Sequence, residues 1–204
     1  MTEPRITDPS NPEGKDWELP ERNVFSKSVE KIRAHINHDG APALAQWAIY
    51  WARHKTTTMP TQYAEVRPIP YSRFWLSPQL WLKRHTVVTD CSGSTDIEAA
   101  LAGVDINPAG FPWGSGEGNS SSFFNAAVKR FFDVKELRPG DYCAYGVGGD
   151  EHISTVVAVK PVPMVVSHGM PGGPFLQPLS LDTRPRTFLR VNARAKRVQF
   201  PPKA

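Results

Sequence analysis

Hydrophobic positions along the chain follow helical spacing first and short β-type runs later. Val24, Phe25, Val29, Ile32 and Ile36 recur at helical spacing, with Asn23 placed as an N-cap and Gly40 just past the end. A second helix is predicted from about Ala41 to His54, with Leu44, Trp47, Ala48 and Trp51 on one stripe. Pro42 falls in its first turn, where a missing N–H costs nothing. The two helices predict a hairpin over residues 23–55, preceded by a leader over 1–22 that is rich in Pro, Glu and Asp and lacks apolar periodicity.

From Thr56 to Thr86 prolines and aromatics follow neither period, which predicts a long ordered loop packed by Tyr63, Tyr71, Phe74, Trp75 and Trp81. Ile97, Ala100, Leu101 and Val104 return to helical spacing near Gly103, so a helix begins close to Cys91. Gly114 to Ser122 forms a Gly/Ser loop leading into a further predicted helix, SFFNAAVKRFF, whose aromatics read as core. No Lys follows the last Gly of that loop, which excludes a P-loop. Short β-type runs then appear at DYCAYGV, HISTVVAV, PMVVSHG and TFLRV, separated by Gly/Pro turns. Helices followed by strands predict an α+β fold, with helices on an antiparallel sheet of about four to six strands.

Composition narrows this picture. With 204 residues the chain is long enough for one domain with a real core, read as 23–190 with its catalytic core at 56–190. The hydrophobic content of 40% excludes a chain disordered throughout. A net charge of +4 favours an anionic partner without choosing one. The basic cluster Arg184, Arg186, Arg190, Arg194, Lys196 and Arg197 runs into a tail over 191–204 that is either solvated or a binding patch. Nucleic acid is disfavoured, because the aromatics are not interleaved with Lys and Arg in a stacking pattern. The N-terminus has no apolar signal region, and no segment approaches the roughly 18 apolar residues of a membrane span. A chain made in the cytosol as a soluble monomer is the expectation.

Two cysteines make no disulfide framework, and their contexts differ. Cys143 lies in an apolar, aromatic run and reads as core. Cys91 opens a small-residue stretch at a helix start, where free N–H groups and partial positive charge lower a thiol pKa and can receive an oxyanion. Asp90 and Ser92 flank it as candidate substrate contacts, and Gly93 permits close backbone approach. His152 begins an apolar strand after the turn Arg138-Pro139-Gly140-Asp141, placed to accept the Cys91 proton. His168 ends the next strand, where it can orient the base. His35, His38, His54 and His85 have no such setting.

In this order the segments T-DCSG, L-RPGDY-AYG, EHIS-VVAV and VVSHG resemble the NlpC/p60 family of papain-like cell-wall cysteine peptidases, over roughly Tyr63 to Pro178. The resemblance implies a papain-like core with Cys91 as nucleophile, His152 as base and His168 as third residue. It implies no cofactor and no metal, with bacterial peptidoglycan as substrate. The VSHG-M-P-GGP-F-L-PL segment, and ARHK followed by YAE, look closest to peptidase domains of endolysins from phages of actinobacteria. Such an enzyme would stay in the host cytoplasm until released to the wall, whereas a virion component would arrive from outside.

The chain departs from the family pattern in two places. The family's Tyr-x-Trp-Gly-Gly-like segment before the cysteine is missing, which leaves Tyr63 or Tyr71 to line the substrate site, Tyr63 being favoured by the YAE likeness. Ser94-Thr95 replaces the usual aliphatic-aromatic residue after DCSG. The implied reaction is hydrolysis of an amide bond in stem or cross-bridge peptide. An N-acetylmuramoyl-L-alanine amidase with the same site is the alternative, as is a non-catalytic envelope-binding or virion structural module. A zinc amidase would need a spaced His/Cys ligand set such as HExxH, and none occurs.

Overall fold

A computed structural model describes residues 43–65, 86–102, 104–105, 119–191 and 194–195. The leader, the predicted helix over 23–40 and Tyr71 lie outside the described residues, as does most of the predicted loop.

Helix α1 spans Ala43–His54, close to its predicted range. Its apolar stripe is buried, with Trp51 fully enclosed, and Trp51 Nε1 donates to Thr61 Oγ1 at 2.7 Å. Truncating such a side chain typically costs about 3–5 kcal/mol. Strand β1 (Thr61–Tyr63) pairs in parallel with β2 (Val87–Thr89), setting Tyr63 opposite Thr89. Helix α2 follows at Cys91–Ala102. Val104, placed on that helix by its spacing, instead lies in β3 (Val104–Asp105), which pairs with β10 (Arg194–Ala195). Part of the predicted tail is therefore structured.

The predicted helix SFFNAAVKRFF divides. Asn119 caps a short helix α3 (Ser120–Ala126) through a reciprocal bond with Ser122, and the chain turns extended at Ala127. Residues Ala127–Phe131 form β4. The reason is tertiary: β4 finds an antiparallel partner in β9 (Arg186–Val191), and Phe131 packs against Phe188 with ring centroids 5.6 Å apart. Pairing and burial override local helical spacing.

The main sheet has six antiparallel strands in the order β4-β9-β5-β6-β7-β8, with β5 at Tyr142–Tyr145, β6 at His152–Ala158, β7 at Met164–Ser167 and β8 at Phe175–Pro178. The molecule is α+β, as the pattern predicts. The PGD turn into β5 has a physical cause. Asp141 N–H bonds Arg138 C=O at 3.1 Å, and Gly140 sits at φ 93°, a conformation that favours glycine. Asp141 then takes a two-pronged ion pair from Arg190 at 2.8 and 2.7 Å, which ties the turn to β9.

One face of the sheet carries Tyr142, Ala144, Ile153 and Leu189 against α1 and α2. The opposite face carries Cys143, Tyr145, Val156, Val165 and Phe188. A bulge between Val156 and Ala158 lets Val157 and Ala158 both pack with α1 residues. No helix among the described residues is long and apolar enough to cross a membrane.

Candidate active site

Cys91 is the first residue of α2, and Asp90 builds the turn beneath it. The Asp90 carboxylate accepts the Gly93 N–H at 2.9 Å and the Ser92 hydroxyl at 3.3 Å, while its carbonyl accepts Ser94 N–H. This is N-capping, worth about 1 kcal/mol. Asp90 and Ser92 are both buried and serve the cap. The Cys91 residue is half-buried, and its sulfur lies 3.8 Å from the Ser120 hydroxyl at the start of α3.

A helix start was expected to lower the thiol pKa. Instead it is raised, first by burial and then by the Asp90 charge, against smaller lowering contributions from the Ile153 and Ser92 backbone and the Ser120 hydroxyl. Cys91 rests as a neutral thiol. Cys143 is a core thiol as predicted, and burial pushes it up to about 12.

His168 is fully buried on the Cys91 side of the sheet. Its Nε2 lies 3.0 Å from the Thr89 carbonyl, an acceptor, so Nε2 carries the proton. Nδ1 is thereby an acceptor, and it is buried without a hydrogen-bond partner. Burial holds the imidazole neutral, with a pKa down to about 4. The Tyr63 ring meets His168 edge-on at 5.5 Å, and its hydroxyl donates to Glu65 at 3.2 Å. Burial raises the Tyr63 pKa, and the Glu65 and Asp90 carboxylates add to it. Tyr63, Asp90, Cys91 and His168 thus form one neighbourhood.

His152 is placed differently. It pairs with Tyr145 across β5, and Tyr145 belongs to the face away from α2. Its Nε2 lies 2.8 Å from Ser167 Oγ, and a Cβ on Gly169 would stand 2.9 Å from its ring. Thr155, an odd number of residues further along β6, bonds Glu98 of α2 at 2.5 Å and so marks the helix face. The described contacts therefore put His152 and His168 on opposite faces of the sheet. The bonds described run from His152 to Ser167, from His168 to Thr89 and from Cys91 to Ser120.

Sequence reasoning missed Ser120 and Ser167. Ser120 follows a recognisable cap residue, Asn119, but nothing local tells that α3 starts beside Cys91. Ser167 is one residue from a histidine that drew the attention.

Among the described residues no group of three or more His, Cys, Asp or Glu is arranged to hold a metal ion. No family model matches the chain, and no curated protein matches it. Among solved structures, the peptidoglycan hydrolase RipB from Mycobacterium tuberculosis is similar at 18% identity and a TM-score of 0.39, over 92% of this chain and 94% of its own. The chemistry is therefore read from the side chains.

Proposed function

We propose that the chain is an NlpC/p60-type cysteine peptidase of phage-endolysin kind, hydrolysing an amide bond in the peptide part of bacterial peptidoglycan. The observation that carries the reading is Cys91 at the first position of α2, with the Ser120 hydroxyl and Ile153 backbone at its sulfur and His168 docked on Thr89. Cys91 Sγ attacks the carbonyl carbon as its proton passes to an imidazole. Backbone N–H groups at the helix start hold the oxyanion. The imidazole returns the proton to the leaving amine as the C–N bond breaks, and water then hydrolyses the thioester. Tyr63 lines the substrate side of this site.

His168 is the imidazole this geometry favours, because it shares the face of Cys91 and keeps the Nδ1 lone pair for the proton. The second reading keeps His152 as base and His168 as its partner. It is favoured by motif order and by His152 preceding Ile153, whose backbone acts on the Cys91 thiol.

Purified wall digested by the chain should release fragments with new amino and carboxyl ends. Mass spectrometry of those ends separates a stem or cross-bridge cut from cleavage of the N-acetylmuramoyl-L-alanine amide. Cys91→Ala should release none. Fragment release by that variant, or loss of release to a chelator rather than to a thiol alkylator, would overturn the cysteine reading.

A further inference from the structure

Lys55 follows directly on α1, and its ammonium lies 3.7 Å from the centroid of the Phe175 ring. Ion pairs among the described residues engage Lys129, Arg184 and Arg190, and Lys55 is in none of them. Burial, with no acid to offset it, pulls the Lys55 pKa down to about 8. A half-buried ammonium held over an aromatic face, with no carboxylate against it among the described residues, has lost hydration and gained a cation–π contact.

Its surroundings connect it to the site. A Cβ on Gly173 would stand 3.4 Å from Phe175 and 2.6 Å from His168 Nδ1, so Phe175, Gly173 and His168 are contiguous. The Lys55 charge acts on His168, helping to keep it unprotonated. The acids that act on Tyr63 and His168 have bonds of their own: Asp90 caps α2, and Glu65 accepts the Tyr63 hydroxyl.

We propose that Lys55, seated on Phe175, is a carboxylate-binding subsite that selects peptide substrates carrying a free carboxylate beside the bond to be cut. The proposal rests on reading the Cys91 neighbourhood as a peptide hydrolase, and it names which peptides that site accepts. It also couples selection to chemistry. A carboxylate on Lys55 cancels the positive charge acting on His168 and makes that imidazole a better proton acceptor as substrate arrives.

The test uses the full chain carrying Cys91→Ala, so that ligand is bound and not turned over. Two probes are titrated calorimetrically: a γ-D-glutamyl stem peptide with its α-carboxylate free, and the same peptide with that group amidated. The free acid should bind at least about tenfold tighter. Lys55→Met in the same background should abolish the difference and leave affinity for the amidated peptide unchanged, and Lys55→Arg should preserve most of the preference. Equal binding of the two probes overturns the subsite. So does equal weakening of both by Lys55→Met in a chain whose melting curve is unaltered, or binding of neither probe. If the preference depends on Lys55 but the chain with Cys91 intact leaves both peptides uncut, the hydrolase reading fails and the subsite stands.

Discussion

The carboxylate of Asp90 fixes the turn that carries Cys91, and its charge also holds the proton on the Cys91 sulfur more tightly. Asp90→Asn separates the two effects, because an asparagine oxygen can still accept the Gly93 N–H while the charge is gone. Losing a negative neighbour favours thiolate, so the thiol pKa should fall. Iodoacetamide alkylation of Cys91 followed against pH reads this directly. The midpoint should move to lower pH in Asp90→Asn while helix content stays the same, and an unmoved midpoint would mean that burial alone sets the thiol. Cys143, deep in the sheet and raised to about 12, should contribute no label in the folded chain.

Helix α2 is joined to the sheet by a buried acid. Glu98 is fully enclosed and bonds Thr155 of β6 at 2.5 Å, with the unpartnered Tyr142 hydroxyl close enough to feel its charge. Burial raises the Glu98 pKa to about 8, far above the ordinary ~4.3 of an unfolded glutamate. The folded state therefore binds this proton more tightly. The stabilisation is complete below about pH 4.3 and is lost as pH rises towards 8, at about 1.4 kcal/mol per pH unit between those limits. Glu98→Gln mimics the protonated acid and removes the dependence. Urea unfolding from pH 5 to pH 8 should show the wild type losing stability relative to Glu98→Gln, and parallel curves would place the ionised acid in contact with water. This contact was not legible in the sequence, because nothing local to α2 points Glu98 at a strand residue 57 positions further on. Strand β4 was hidden for a related reason, since Ala127–Phe131 repeats at helical spacing until β9 is there to pair with it.

At the scale of the whole molecule, most strands of the sheet could be found from their apolar runs, but the face each side chain takes could not. Alternation reveals a face only when one side is wet, and all seven residues of β6 and all four of β7 are buried. His152 and His168 thus read as neighbours on successive strands, while the register sets Ser154 opposite Ser167 and turns the two imidazoles to opposite sides. The helix start at Cys91 was legible because a DCSG sequence before a helical pattern is a local signal. Its partner depends on a tertiary fact. A sheet covered on both faces keeps the two histidines in separate environments, which makes single substitutions decisive. If His168 serves Cys91, its low pKa leaves it neutral and competent down to about pH 4, so the acid limb of kcat/KM should fall there. His168→Gln should then lower kcat/KM by about 10²-fold or more, whereas His152→Gln, which loses the bond to Ser167 and the ring contact with Tyr145, should cost less than about tenfold. The reverse ranking, with His152→Gln abolishing turnover and His168→Gln merely weakening it, would return the base to His152 and require its side chain to cross to the face of α2 when substrate binds.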